Sequence, residues 1–214
     1  MVLLIQCAFA DPVGGNITAS ADNGQLPSAS PDAFNVTAGN VTQINLSTEA
    51  STYRWTGIYG NVTGNIKLGD SGSNVLYEWV ARGRYVYAST SPTIDWSSMA
   101  AASISDVLGE YGFLGVNSVD NYSQTFPFTA TFYSDVIGNL TNVNYTLTLN
   151  SSGGPTWETY SLTDGAEIVF AGQVHADGNN SYSNELVNYQ MIIPEDGTLS
   201  NVQPTEYNFW VELI

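Results

Sequence analysis

The chain has 214 residues, 43% of them hydrophobic and 12% aromatic, which is enough to fill a core and too apolar for a disordered tail. Its net charge of −16 reflects a shortage of bases: Lys and Arg total four and charged residues make up 11%, less than half the usual share of about 25%. With Arg54, Lys67, Arg82 and Arg84 as the only bases, there is no cationic footprint for nucleic acid or an anionic membrane face, and the lone Cys7 excludes an intrachain disulfide or a cysteine-based zinc site.

The chain opens with Val2, Leu3, Leu4 and Ile5, followed by Ala8-Phe9-Ala10. A short apolar run before a small-x-small pattern reads as the tail of a signal peptide cut before Asp11. The alternative is a strand donated to a neighbouring subunit. Residues 11–33 are rich in Gly, Ser, Ala, Asn, Asp and Pro without periodicity, as in a flexible arm or linker. A β-domain is expected over 34–214. About ten short apolar-alternating runs, near 34–47, 53–68, 74–81, 84–89, 126–133, 142–149, 157–162, 166–174, 187–193 and 206–214, predict an all-β fold. A single jelly-roll-like β-sandwich is the expected architecture, although alternation does not encode strand order. No run approaches the roughly 18 apolar residues that would cross a bilayer.

Within that plan, alternation places Ile58, Val62, Ile66 and Leu68 on one face. The turn Gly69-Asp-Ser-Gly-Ser73 makes a hairpin with Val75, Tyr77 and Trp79 inward and Glu78 outward. One short helix near 96–110, or a pair of turns, follows from Trp96, Met99, Ala100, Ser103, Ile104, Val107 and Leu108 at helical spacing. In the final run Tyr207, Phe209, Val211 and Leu213 share a face, a strand clamped into a sheet.

Asn-x-Ser/Thr occurs ten times, at Asn16, Asn35, Asn40, Asn45, Asn61, Asn121, Asn139, Asn144, Asn150 and Asn179, where chance would give about four. The excess argues for an exported N-glycosylated protein of the cell surface. Alternation turns Asn61 outward, and it turns Asn142, Asn144, Thr146, Thr148 and Asn150 away from an inward face of Val143, Tyr145, Leu147 and Leu149.

Chemistry is thinly signalled. His175 is the only histidine, and no Gly-x-Ser-x-Gly elbow accompanies it. Glycoside hydrolysis needs paired acids in a cleft, and Glu158, Glu167, Glu185 and Glu212 qualify only by lying on or beside strands. Asp177, Asn179, Ser181 and Glu185 alternate as in a calcium loop, but Tyr182 stands where such a loop has glycine. That stretch reads first as a solvated hairpin, with a Ca2+ site as the alternative. No catalytic residue and no other cofactor is assigned. The aromatics could stack on sugars, but most fall in phase with a core.

Trp55-Thr-Gly-Ile-Tyr-Gly-Asn-Val-Thr-Gly-Asn-Ile-Lys-Leu68, Leu76-Tyr-Glu-Trp79 and Tyr207-Asn-Phe-Trp-Val-Glu-Leu213, set in a composition low in bases and dense in sequons, resemble archaeal secreted, N-glycosylated β-rich surface proteins. The likeness spans most of residues 51–214. Thread and pilus subunits in that group join by donating an N-terminal strand. The resemblance implies a structural subunit of an extracellular filament or surface assembly, with copies of itself and N-linked glycans as partners and residues 1 to about 20 as donor. The alternatives are a secreted carbohydrate-binding or carbohydrate-active β-sandwich, which would be a monomer with exposed Trp and paired acids, and a monomeric surface-layer accessory.

Overall fold

The structure, a computed structural model, describes residues 11–18, 20–27, 30–197 and 204–214. The signal-peptide or donor-strand segment 1–10, with Val2, Leu3, Leu4 and Ile5, lies outside the described residues.

The fold is all-β. In chain order the strands are β1 (Val13–Gly14), β2 (Trp55–Gly60), β3 (Gly64–Gly69), β4 (Val75–Ala81), β5 (Gly83–Ser89), β6 (Ala100–Ala101), β7 (Phe128–Ser134), β8 (Gly138–Leu149), β9 (Pro155–Thr163), β10 (Ile168–Gln173), β11 (Asn179–Asn180), β12 (Leu186–Val187), β13 (Tyr189–Pro194) and β14 (Asn208–Leu213). Helix α1 (Ile104–Glu110) starts with a capping box in which Ser103 and Asp106 satisfy each other's backbone N–H groups. Helix α2 (Tyr122–Thr125) is a single turn capped by Asn121. The helical pattern expected over 96–110 is therefore divided: Trp96–Ser98 form a 3-10 turn, β6 interrupts, and only the second half is α-helical.

The main sheet is antiparallel in the order β1-β14-β5-β10-β9-β8-β7, with β6 added beside β9. The consecutive run β7-β8-β9-β10 is an up-and-down meander rather than the paired Greek keys of a jelly roll. β2 and β13 pair separately as a ribbon.

Two cores lie on opposite faces of the sheet. On one face Val86, Ala88, Ile168 and Phe170 meet Trp55, Met191 and Ile193 of the ribbon and Val107, Leu114, Tyr122 and Phe126 of the helical segment. On the other face Tyr85, Tyr87, Leu162, Val169 and Ala171 meet Phe132 and Val143, which belong to the same sheet. The sheet therefore curls until its β7 end faces β5, and the Tyr85 and Phe132 rings lie 4.4 Å apart across the interior. Because β5 and β10 are covered on both faces, they read as continuous apolar runs without alternation.

Two expectations are corrected. Residues 30–50 are exposed and form no strand, so the strand predicted over 34–47 is absent and the packed body begins near Trp55. Few apolar residues spread among three sequons supply too little burial to offset the entropy of ordering that stretch. In addition, Val75, Tyr77 and Trp79 do not turn inward, and neither do Ile66 and Leu68: all five are exposed on a hairpin that leaves the body.

Burial pushes the phenols of Tyr85, Tyr87, Tyr111 and Tyr207 above the ordinary tyrosine range and that of Tyr160 up to about 12. The folded state thus favours neutral phenol. The stability this contributes is complete below the ordinary pKa of about 10 and is lost as pH rises past it. The melting temperature should hold to about pH 9 and fall steeply above pH 10. These phenolates should appear in the ultraviolet spectrum only together with loss of the far-ultraviolet dichroism.

Candidate functional site

The ten sequons fall into two groups. Asn16, Asn35, Asn40, Asn45, Asn61 and Asn139 are exposed. Asn121, Asn144, Asn150 and Asn179 are half-buried, and each uses its side chain in the fold. Asn121 Oδ1 accepts from Gln124 N at 2.9 Å. Asn144 Nδ2 donates to Ala102 O at 3.2 Å. Asn150 Oδ1 accepts from Ser152 N and Gly154 N, both at 3.0 Å, while its Nδ2 donates to Thr156 Oγ1 at 3.0 Å. Asn179 Oδ1 accepts from Asn180 N at 2.8 Å.

The outward phase expected for Asn144 and Asn150 is thus a second, partly covered face. Gln190 of β13 lies over it and donates to Thr148 Oγ1 at 2.8 Å and to Leu149 O at 2.9 Å. Alternation separates two faces of a strand without saying that one is open. The sequon hydroxyl residues Thr146 and Ser181 are themselves buried.

A glycan is joined through Nδ2, so Asn144 and Asn150 can be modified only before the fold closes. Folded, unglycosylated chain offered to an oligosaccharyltransferase should take sugar at the six exposed sites and be refused at Asn144 and Asn150. Peptide mapping by mass spectrometry reads the result, and quantitative modification of both in folded protein would contradict the geometry.

Of the remaining candidates, His175 and Glu158 do meet: Nε2 lies 3.3 Å from Oε2, both side chains half-buried, with the imidazole edge-on to Trp157 at 4.8 Å. Among the described residues no serine hydroxyl is hydrogen-bonded to this histidine, so a nucleophile–base pair is not assembled there. Glu167 follows the β9–β10 turn and Glu185 the β11–β12 turn. In the loop read as a calcium alternative, Ser181 Oγ accepts from Ser183 N at 3.3 Å and Glu185 N at 3.2 Å. Two of the four oxygens proposed for that loop are therefore engaged in shaping the turn. Among the described residues no three His, Cys, Asp or Glu side chains are grouped to hold a metal, and no helix is long and apolar enough to cross a membrane.

Glu212 has a different role from the one its strand position suggested. It is fully buried, and its carboxylate accepts from Tyr87 Oη at 2.6 Å, Ser134 Oγ at 2.9 Å and Asp135 N at 3.0 Å. Tyr87 is on β5, beside β14, whereas Ser134 and Asp135 are at the end of β7, the opposite end of the sheet. Arg84 adds an ion pair to Asp135 at the rim. Alternation had shown Tyr207, Phe209, Val211 and Leu213 as the buried face and could not show that Trp210 and Glu212 are covered as well. Glu212→Ala would leave two buried hydroxyls and the part-buried Asp135 amide without an acceptor and should cost about 3–5 kcal/mol of unfolding free energy. Glu212→Gln, which keeps an oxygen in place, should lose less, as urea denaturation would measure.

Among the described residues two surfaces remain unfilled. The outer edge of β14 there carries β1, with Val13 opposite Val211 and Gly14 opposite Trp210, plus Gly15 N donating to Phe209 O at 2.7 Å. The β3–β4 hairpin, in register from Gly64–Ala81 to Gly69–Val75, exposes its large apolar side chains.

No family model, curated protein or solved structure matches the chain.

Proposed function

We propose that this chain is a structural subunit of an extracellular, N-glycosylated filament or cell-surface assembly, joined by strand addition from the N-terminal arm. The observation that carries this reading is the seat of the arm on β14. Residues 13–15 add to that edge antiparallel, and among the described residues the rest of the edge has no neighbour. An exposed edge with unpaired backbone groups is a template for another chain, and the segment already placed there comes from the N-terminus. A neighbour's arm can pair with the same edge, Val2 to Ile5 taking the place along β14 that residues 13–15 hold here. Exposed sequons at Asn16, Asn35, Asn40 and Asn45 lie along the arm and the extended stretch after it, so glycans there would hold subunits apart except where edges meet.

A sugar-binding module is the second reading, favoured by the exposed Tyr77 and Trp79 rings 4.7 Å apart. It ranks lower because Ile66, Leu68 and Val75 surround those rings on the same face, and a sugar needs several polar partners beside its stacking platform.

Electron microscopy of the native extracellular fraction, with intact-mass analysis of this chain, tests the proposal. Filaments should contain a chain that retains Val2 to Ile5. Deleting residues 1–20 should abolish polymer while the melting temperature of the body changes little. A glycosylated monomer beginning at Asp11 would overturn the strand-addition reading.

A further inference from the structure

We propose that the β3–β4 hairpin is a second self-association surface, on which the apolar face of one hairpin packs against the same face of another copy of this chain. The contact does not involve the N-terminal arm and goes beyond the strand addition above. Cross-strand register puts Ile66 opposite Trp79, Leu68 opposite Tyr77 and Gly69 opposite Val75, so five large apolar side chains share a face. Each is between 46% and 58% exposed. The charged groups lie on the other face, where Lys67 and Glu78 pair at 3.7 Å and Asn65 also donates to Glu78. A two-stranded hairpin is marginally stable in water unless something covers one side. Among the described residues the body meets it at its root, where a side chain on Gly64 would push the end of Leu213 aside.

Three observations select a second copy as the occupant. The first is area: the five side chains expose roughly 500 Å2, so a symmetric pair would bury about 1,000 Å2, the lower bound of a specific interface. The second is charge. Copies carrying −16 repel one another, and a contact through this face, which has no carboxylate, adds no short-range repulsion of its own. The third is shape. At the hairpin root Ile66, Trp79, Val80, Ala81 and Ile214 line an open groove of about 450 Å3. Antiparallel two-fold apposition would set the tip of one hairpin, with Leu68, Val75 and Tyr77, over the root groove of the other.

A photo-crosslinking aromatic, p-benzoylphenylalanine, placed at Tyr77 of the full chain tests this in a mixture of isotopically light and heavy protein. Irradiation should join light chains to heavy ones, with crosslinks mapped to Ile66, Trp79 or Ile214. Adding Trp79→Asp should lower that yield at least tenfold, whereas Leu76→Asp on the opposite face should leave it within twofold. Salt should raise the yield, because screening removes the repulsion between copies. Crosslinks confined within one chain, directed to another surface of the partner, or made to a copurified lipid or sugar would overturn the proposal. Because the readout lies wholly in residues 64–81 and at the C-terminus, loss of arm-dependent polymer leaves it intact, and failure of the crosslink leaves strand addition standing.

Discussion

Glu212 sits where the two ends of an eight-stranded sheet come together, and the curvature of the whole body depends on what it accepts. One oxygen takes the Tyr87 and Ser134 hydroxyls and the other takes the Asp135 amide. Without an acceptor at this point, the turn after β7 would be left with the Arg84–Asp135 ion pair at the rim and apolar contacts such as Tyr85 against Phe132 to hold it to the β5–β14 end. Hydrophobic burial is strong but non-directional. A buried carboxylate with three donors fixes the register of the closure, since any slip would leave several buried polar groups unpaired.

The curl has a second consequence. Once Tyr85, Tyr87, Val169 and Ala171 face inward, the opposite face of the same strands, with Val86, Ala88, Ile168 and Phe170, still needs a cover. The β2–β13 ribbon and the helical segment from Ser103 to Phe126 provide it. The ribbon is tied down by polar contacts as well as apolar ones: Ile192 N donates to Thr159 Oγ1 at 3.2 Å, and Trp55 Nε1 donates to Asp120 O at 2.7 Å. Among the described residues this arrangement uses nearly all the covering elements, and residues 30–50 and the β3–β4 hairpin both stand in solvent.

Strand positions were legible in the sequence because period-two alternation and turn residues act locally: the hairpin at Gly69 to Ser73, the runs that became β4, β5 and β7 to β10, and the last strand all lie where the pattern puts them. Faces were legible only where one side of a strand meets water. In β5 and β10 both sides are buried, in β8 the side carrying Asn144 and Asn150 is half-covered, and in the β3–β4 hairpin neither side is covered. Alternation looks alike in the last two cases, because what decides them is the presence of a distant element such as β13. The run from Phe34 to Ser47 was misread for the same reason. Its apolar spacing would suit a strand, but strandhood requires a partner edge, and the pattern of one segment carries no information about where edges remain open. Glu212 was visible as an acid on a strand, while its closing role depends on a turn 77 residues away in sequence.

The exposed apolar residues of the two uncovered regions are not equivalent. Along the stretch before Trp55, Val36, Val41 and Leu46 each directly follow a sequon asparagine, at Asn35, Asn40 and Asn45. A glycan on each would lie over the apolar side chain beside it, so that region can stay extended and soluble without a partner. The hairpin has no such cover: from Gly64 to Ala81 there is no sequon, and the charged pair Lys67 and Glu78 occupies the face opposite the aromatic one. In a protein with so few charged residues, an apolar face free of carboxylates and sequons is a place where contact is tolerated. The same logic applies at the β14 edge, where Asn16 follows the paired residues directly but none of the residues from Asn208 to Leu213 carries a sequon. Sequon placement and strand geometry thus divide the surface in the same way: the sequons gather on the arm, and among the described residues one edge and one face carry neither a sequon nor a covering element.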